Sequence, residues 1–336
     1  MSETDWNSNL GGGFGRHEEK DEFFHGTGPA GDTLTETWFW NFHVPDANIN
    51  CFAYCWVHPN LAMCSGGLMI YQGHKPSHLA CELFDYRDYL SMDVVGDGST
   101  IRYPNGLTVT VIEPLTKLRM DFDDPSRDTS FNVVATAVDV PIMRANNHHF
   151  EQLMHVTGTL RLRGQDHIVD CHAVRDRSWG ELRPETNAPV PPYTWVTGAF
   201  GADFAFNVGS HDDPARSPDW QGIMDAPPRI FNDGWVLKDG GQRRIVKSSK
   251  VTRRTGVRHA PVSHEYEFED ASGERYRISG TLVAQTEWGG WSNMTCHLGL
   301  VKWEWDGRTG YGESQEVSWN EYSYLMHQAS GGKVRS

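Results

Sequence analysis

Apolar and polar residues alternate over short stretches along most of the chain. This alternation predicts β-strands, because successive side chains of a strand point to opposite faces. It begins near Thr35 and is clear over residues 106–113, 155–162 and 295–305, with glycine- and aspartate-rich turns such as residues 238–241 between strands. Stretches with the spacing of an amphipathic helix are nearly absent. The pattern predicts an all-β protein made of barrels or sandwiches.

The length of the chain predicts two domains. At 336 residues, the chain exceeds the roughly 250–300 residues at which a single core usually stops growing. A proline-rich stretch at residues 184–192 is the predicted joint between β domains at residues 31–183 and 193–336. Residues 1–30 are polar and glycine-rich, and we interpret them as an N-terminal arm that is mobile or draped over the fold.

The two halves of the chain share weak sequence similarity. Residues 155–179 and 297–319 each read as a hairpin that ends in Ser-Trp, and Gly-Thr-Leu occurs within a strand at residues 158–160 and 280–282. The repetition favours two related β domains, with chance similarity between hairpins as the alternative.

The charge of the chain restricts its partners. Lys and Arg total 30 against 44 Asp and Glu, a net charge of −14. Such a chain repels phosphate backbones and anionic membrane surfaces, so we expect no nucleic-acid partner.

No basic segment precedes an apolar run at the start, and no run approaches about 18 apolar residues, so neither a signal peptide nor a membrane span is predicted. We therefore predict a cytoplasmic protein whose six cysteines are free, buried thiols: Cys51, Cys55, Cys64, Cys81, Cys171 and Cys296.

The aromatic content favours a cavity for a small apolar or aromatic ligand. The 13 tryptophans are many for this length, although such rings also simply fill β cores. The sequence lacks His-Glu-x-x-His, Cys-x-x-Cys, the Gly-x-Ser-x-Gly elbow and a dinucleotide fingerprint. We expect neither a metal nor an organic cofactor.

Residues 171–180 carry the densest cluster of candidate chemistry, because an apolar strand ends there in charged residues, a serine and a tryptophan. Strand alternation places residues 172, 174, 176 and 178 on one face and residues 171, 173, 175, 177 and 179 on the other. His172 and Asp176 then lie about 13 Å apart, at about 3.3 Å per residue. They are predicted to line the two ends of one elongated pocket.

Asp176 is the candidate general acid, a role that requires burial to favour its protonated form. The alternative is an ion pair of Asp176 with Arg175 or Arg177 that fastens the two domains. His172 is either a proton shuttle with an ordinary pKa near 6.5 or a satisfied core histidine. Five further residues on aromatic-rich strands either line the cavity or only pack: Trp40, Tyr54, Glu151, Trp195 and His297.

The Arg-Asp-Arg-Ser-Trp-Gly motif at residues 175–180 resembles the carotenoid 1,2-hydratase (hydroxyneurosporene synthase) and AttH-like superfamily of tandem lipocalin-like proteins. It is most similar to a bacterial branch with Arg-Asp-His/Arg-Ser-Trp-Gly in mid-chain. Further matching stretches lie at residues 40–43, 113–115, 149–152, 156–159 and 305–313, so the resemblance spans about residues 35–325.

The resemblance implies two lipocalin-like β-barrel domains in tandem, with the ligand cavity in or between them. Relatives add water to isolated prenyl double bonds or catalyse pericyclic ring closures without a metal or redox cofactor. Asp176 and Trp179 match the family's Asp and Trp, whereas Arg177 stands where many relatives have His. That departure weakens any mechanism that needs an imidazole at this position.

The resulting hypothesis is a cofactor-independent hydratase or dehydratase, a hydro-lyase, for an apolar terpenoid, prenylated or aromatic substrate. Asp176 protonates the alkene, and His172 or Glu151 orients the water. Aromatic faces stabilise the carbocation; the predicted walls are Trp40, Trp179 and Trp195, with Tyr54, Arg175 and His297 as further substrate contacts.

Two other functions fit the same features. An isomerase or pericyclase would need shape and hydrogen bonds more than a strong acid, and a lipocalin-like carrier would return its ligand unchanged. Exposed β edges are also compatible with a homodimer.

Overall fold

We describe the protein from a computed structural model. It describes residues 14–29, 31–32, 34–182, 190–255, 259–290 and 293–329, with the backbone alone at residues 181–182. Within these residues the chain forms 19 strands and a single α-helix. The all-β prediction is confirmed. Most of the predicted joint at residues 184–192 and the first 13 residues of the predicted arm lie outside the described part of the chain.

Contacts divide the described chain into two compact units. Unit 1 is drawn from Met1–Gln72 and Leu79–Arg183, and unit 2 from Gly73–His78 and Pro184–Ser336. The short segment Gly73–His78 belongs to unit 2 because it pairs with a strand there: the Lys75 amide donates to the Gln285 carbonyl at 2.7 Å.

Unit 1 is one antiparallel sheet that curls around an apolar core. Its strand order is β4-β3-β2-β1-β11-β10-β8-β7-β6-β5, with β9 added to β10. The strands are β1 Leu34–Val44, β2 Ile49–His58, β3 Met63–Gln72, β4 Leu83–Ser91, β5 Thr100–Arg102, β6 Thr108–Glu113, β7 Lys117–Asp124, β8 Thr129–Ala137, β9 Ile142–Met143, β10 His149–Leu162 and β11 Gln165–Leu182.

Three hairpins of unit 1 share one local construction. A proline fixes φ at the start of a short 3-10 turn, and a residue in the left-handed region ends it and reverses the chain. The turns are Pro45–Ala47 followed by Asn48, Pro59–Leu61 followed by Ala62, and Pro125–Arg127 followed by Asp128.

Unit 2 is a closed antiparallel barrel in which each strand pairs with the next along the chain and the last pairs with the first. Its apolar core includes Phe206, Tyr266 and Trp303. The strands are β12 Tyr193–Ala199, β13 Phe204–His211, β14 Phe231–Lys238, β15 Gly241–Arg254, β16 Pro261–Asp270, β17 Arg275–Trp288, β18 Met294–Trp305 and β19 Arg308–Trp319. The closed eight-strand barrel of unit 2 and the curled sheet of unit 1 confirm the prediction of tandem lipocalin-like domains.

Several predicted turns are present, because their residues suit the left-handed region. The central residues of the β10–β11, β14–β15 and β18–β19 hairpins all have positive φ: Arg163 with Gly164, Asp239 with Gly240, and Asp306 with Gly307. Between β6 and β7 the chain turns at Leu115, which has a φ of 56°. The expectation of almost no helix missed α1, Asn320–Ala329, which buries only Met326 and so has a weak apolar pattern.

Around β1, both faces of the unit 1 sheet are covered. Trp38, Trp40 and Phe42 of β1 belong to the apolar core, so we call this side the inner face. Phe39 and Asn41, which alternate with them, define the outer face. All eleven residues of β1 are buried. The inner and outer faces therefore cannot be told apart from exposure alone.

Candidate functional site

The strand β11 carries the predicted site residues on both faces of the sheet. Its inner face holds Cys171 and Ala173 in the apolar core, and Arg175 and Arg177 continue that face. Asp176 lies on the outer face, as alternation predicts. The arginines that flank Asp176 in sequence therefore point away from it.

Arg175 is buried and anchored to the N-terminal arm. Its guanidinium donates to both carboxylate oxygens of Glu22, at 2.5 and 2.7 Å, and to the Gln152 side chain at 2.7 Å. Burial alone would raise the pKa of Glu22, but Arg175 and the backbone N–H of Leu115 outweigh it and hold that pKa below its usual value. Arg175 was predicted to bind substrate, whereas here it closes a bidentate ion pair.

Arg177 is fully buried, and both of its terminal guanidinium nitrogens donate hydrogen bonds. Its guanidinium lies 3.7 Å from the centre of the Trp38 ring and pairs with the Glu36 carboxylate. It also donates to the Phe23 carbonyl at 2.6 Å and to the Thr37 carbonyl at 3.1 Å. This arrangement joins β11, β1 and the arm.

The arm supplies an imidazole beside the position where relatives were expected to have histidine. The His25 ring stacks on Trp179 with centroids 4.4 Å apart, and its Nδ1 lies 3.3 Å from Arg177. Asp21 and Glu22 of the same arm are almost fully buried. The described part of the predicted arm is thus draped over unit 1 and held by buried charges.

One small cavity lies on the inner face. A cavity of about 10 Å³ opens beside Trp40 and Arg175, with apolar walls that include Met120 and Met154. A cavity needs roughly 10–15 Å³ to hold one water molecule. Trp40 and Trp179, both predicted to face a substrate cation, lie on this filled side of the sheet.

The outer face brings other predicted residues together. Register pairs Tyr54 of β2 with Phe39, Phe39 with Asp176, and Asp176 with Glu151 of β10. Directly paired residues share a face and have Cβ atoms about 4.5–5.5 Å apart. We call Tyr54, Phe39, Asp176 and Glu151 the carboxylate row. It places two carboxyl groups beside each other and two aromatic rings next to them.

Glu151 is a fixed negative charge in this row. Its carboxylate accepts from His149 Nε2 at 2.8 Å and from Arg144 at 2.9 Å. Burial would raise the pKa of Glu151, but His149 and Arg144 outweigh it and hold that pKa at about 2. Asp176 is half-buried, whereas Glu151 is almost completely buried. The row therefore combines an ionised carboxylate with a neighbouring carboxyl group that solvent can reach.

Two further rows run parallel to the carboxylate row, each about 7 Å further along the strands. The apolar row is Phe52, Asn41, Val174 and Leu153; the histidine row is Asn50, His43, His172 and His155. Backbone pairing joins Asn41 to Phe52, His43 to Asn50, Leu153 to Val174 and His155 to His172. The pairing of β1 with β11 runs from Leu34 to Phe39, and strand alternation beyond it places Asn41 and Val174 on the same face.

His172 therefore lies two rows from Asp176, at the distance expected from the sequence. Its ring stacks on His155 with centroids 4.8 Å apart. Burial, and then the nearby His172, lower the pKa of His43 to about 4. Because Glu151 is the direct neighbour of Asp176, it fits the role of water-orienting group better than His172 does.

The remaining predicted residues belong to unit 2. Trp195 of β12 pairs with Gly209 and Gln315. His297 of β18 pairs with Glu287 and Glu316; burial lowers its pKa, although Glu316 opposes this. The structure thus spreads the predicted site over the inner face, the outer face and the second unit.

Unit 2 contains a buried charge cluster that sequence reasoning missed. Lys250 lies 2.9 Å from Asp212, and Arg254 contacts Asp212 at 2.5 Å and Glu316 at 2.6 Å. Burial would raise the pKa of Asp212, but Lys250 and Arg254 outweigh it and hold it far below its usual value. All of these charges have opposite partners, so the cluster is a closed network.

The sequence analysis also missed His149 and Arg144, which contact Glu151 on the outer face, and only the position of His149 was predictable from the sequence. His149 and Glu151 are two apart in a strand and so share a face, which predicts their contact. Arg144 comes from the segment before β10 and gave no pattern. Within the described residues, no group of three or more His, Cys, Asp or Glu side chains is arranged to hold a metal ion.

A family model of the sequence matches residues 18–321, and its description is "Domain of unknown function (DUF7064)". The chain belongs to the DUF7064 family. No curated protein sequence matches the DUF7064 chain significantly. No helix within its described residues is long and apolar enough to cross a membrane.

Solved structures resemble the DUF7064 chain across both units. CghA with Sch210972 aligns with a TM-score of 0.54 at 12% identity, over 86% of this chain and 89% of that chain. A putative AttH from Nitrosomonas europaea aligns with a TM-score of 0.53 at 14% identity, over 92% and 98%. Kievitone hydratase from Nectria haematococca gives 0.48 at 12% identity, over 88% and 96%. At these identities, the first two structures show a shared fold and not a shared activity.

Proposed function

We propose that this protein is a cofactor-independent hydratase or dehydratase that acts on an apolar alkene or the corresponding alcohol at the carboxylate row. The observation that carries the proposal is the direct pairing of Asp176 with the ionised Glu151 on the outer face. Two carboxyl groups in different environments are the usual arrangement for acid and base in one site. Arg175 and Arg177, which would oppose an acid role, are bound to Glu22 and Glu36 on the other face.

Asp176 acts as the general acid. A carboxyl group beside a fixed negative charge holds its proton more tightly, because ionisation would place two like charges together. Asp176 donates that proton to one alkene carbon, and the π bond breaks to leave a carbocation on the other. The rings of Phe39 and Tyr54 in the same row stabilise the cation through their faces.

Glu151 receives the second proton. Water bonds to the carbocation and forms a protonated alcohol, which is a much stronger acid than a carboxylic acid. A carboxylate with a pKa of about 2 therefore suffices to remove its proton. Transfer of that proton from Glu151 back to Asp176 restores the site, and the net change is addition of one water. Dehydration follows the same steps in reverse.

Two observations bear on the choice of function. CghA, which shares the fold, was crystallised with Sch210972, so a protein of this architecture binds a ligand. The cavity beside Trp40 and Arg175 measures about 10 Å³ and is too small for such a ligand, so a carrier would have to hold its ligand elsewhere.

Asp176→Asn tests the acid role. Wild-type protein, this variant and Asp170→Asn are incubated with terpenoid, prenylated and aromatic alkenes in ¹⁸O-water, and products are followed by mass spectrometry. Asp170 is an exposed carboxylate on the same strand and is the matched control. We expect Asp176→Asn to lower turnover by at least about 100-fold, while Asp170→Asn keeps it.

Incorporation of the heavy oxygen, or loss of water from an alcohol, by wild-type protein supports the proposal. A new product of unchanged mass would contradict it and favour an isomerase or pericyclase. Ligands that bind and are recovered unchanged would favour a carrier. Full turnover by Asp176→Asn would remove Asp176 as the acid.

A further inference from the structure

Asn41 is the one residue of the apolar row that carries a polar side chain. Phe52, Val174 and Leu153, which share the row, are all almost fully buried. Asn41 itself is only 4% exposed. Its side-chain nitrogen and oxygen both lack a hydrogen-bond partner among the described residues.

An amide buried in this way destabilises the fold, because its hydrogen bonds to water are lost without replacement. Asn50 on the neighbouring strand shows the contrast. It is equally buried, but its side-chain nitrogen donates to the Tyr71 hydroxyl at 2.7 Å. An apolar residue at position 41 would fill the row without this loss of hydrogen bonds, so we look for a partner of the amide beyond the described residues of the protein.

The position of Asn41 connects this amide to the carboxylate row. Asn41 lies two residues from Phe39 on β1, so the two rows are about 7 Å apart. Asp176 and His172, which flank the apolar row on β11, are both half-buried. Solvent therefore reaches the outer face on either side of Asn41.

We propose that Asn41 is the specificity-determining residue of this site and that it binds a hydroxyl group on an otherwise apolar alkene. This inference rests on the proposed function. A hydroxyl can accept from the amide nitrogen and donate to the amide oxygen, so one group satisfies both unpartnered atoms. The substrate class is thus a phenol or alcohol whose hydroxyl lies about 7 Å from the alkene carbon that Asp176 protonates.

Three related probes isolate the hydroxyl. In para-hydroxystyrene, the oxygen and the terminal vinyl carbon are separated by about the distance between the rows. The methoxy group of para-methoxystyrene donates electron density to the ring to a similar extent but has no hydrogen to give, and styrene lacks the oxygen. Protonation of the terminal carbon and addition of water would give a 1-arylethanol from each.

Affinity and turnover of the three probes are measured with wild-type protein and Asn41→Leu. We expect wild-type protein to bind para-hydroxystyrene at least about 10-fold more tightly than the other two, equivalent to one hydrogen bond. Asn41→Leu should bind all three alike. An unchanged preference in the variant, or no preference in wild-type protein, would overturn the inference.

The melting temperatures of two variants show whether Asn41 binds substrate or stabilises the fold. Asn41→Leu should leave the melting temperature unchanged or higher, because it removes an unpartnered amide. Asn50→Leu should lower it, because it breaks the bond to Tyr71. If Asn41→Leu lowers the melting temperature as much as Asn50→Leu does, Asn41 is structural and the inference is wrong.

Asp176→Asn makes the two proposals distinguishable. If Asp176→Asn abolishes turnover but still binds para-hydroxystyrene more tightly than the other probes, the proposed function and the assignment of Asn41 both hold. If wild-type protein shows the preference in binding but converts none of the probes or the wider alkene panel, the proposed function fails and the assignment of Asn41 stands. If the wild-type protein binds all three probes with equal affinity and hydrates them at equal rates, the assignment of Asn41 fails and the proposed function stands.

Discussion

The two faces of β11 use charge in opposite ways. On the inner face, Arg175 and Arg177 are each bound by a carboxylate and by further acceptors. On the outer face, Asp176 is paired with another carboxyl group, Glu151. Buried charges with complete sets of opposite partners hold a fold together, whereas like charges placed side by side are characteristic of catalytic sites. On the proposed function, the mid-chain motif has a structural half, Arg175 and Arg177, and a chemical half, Asp176.

The charge cluster of unit 2 resembles the inner face of β11, because its positive charges are paired with negative ones. Lys250 and Arg254 are matched by Asp212 and Glu316 inside the barrel. Its strongly shifted pKa values therefore reflect a closed network. A perturbed pKa alone would not distinguish this cluster from the carboxylate row; the second carboxyl group paired with Glu151, that of Asp176, does.

The largest effect that we expect on stability comes from Arg177→Met. Removal of one partner from a buried ion pair costs about 3–5 kcal/mol, because the other charge stays buried without compensation. Here the remaining charge is Glu36, which is 1% exposed. Urea unfolding measures the change in the free energy of unfolding.

The control for this prediction is Arg161→Met on β10. Arg161 pairs with Asp128 and Asp166 at a partly exposed site, so its loss should cost less than about 1 kcal/mol. An Arg177→Met protein as stable as the control but inactive would contradict the structural role of Arg177 and make it part of the chemistry.

A smaller, pH-dependent effect is expected from His43 on the outer face. Burial, and then His172, lower the pKa of His43 from 6.5 to about 4. Between these values the unfolded chain binds a proton that the folded protein does not. Stability is therefore fully present above pH 6.5 and falls as the pH drops towards 4, by up to about 3 kcal/mol from this residue.

Unfolding free energies of wild-type protein and His43→Gln at pH 7, 5.5 and 4.5 measure this effect. The variant should lose less stability than wild-type protein as the pH falls. A His148→Gln control, at an exposed position, should match the wild-type slope. Equal slopes for His43→Gln and wild-type protein would show that His43 does not stay neutral in the folded state.

The fold was largely predictable because strand alternation and turn residues are local signals. The same alternation placed Asp176 and Arg175 on different faces. It did not reveal which face is inside, because all eleven residues of β1 are buried. The partners of the arginines were hidden for a different reason: Glu22 lies 153 residues from Arg175, and Glu36 lies 141 residues from Arg177. Only folding brings these pairs together.

The candidate site was predictable in part. Asp176, Glu151 and Tyr54 were candidates as separate residues, but their common row depends on the register of four strands. Asn41 lies within residues 40–43, one of the stretches that carry the family resemblance, but nothing in the sequence marks it as a binding residue. A single amide in an apolar strand is unremarkable in sequence, and its lack of a partner appears only in three dimensions.

The central claim is that the fixed charge of Glu151 keeps Asp176 protonated on the outer face. Carbon-13 NMR of aspartate carboxyl groups, assigned through Asp176→Asn, measures this protonation directly and needs no substrate. We expect Asp176 to keep its proton to a higher pH in the wild-type protein than in Glu151→Gln. If Asp176 ionises at the same pH in both proteins, the carboxylate row is not an acid–base site.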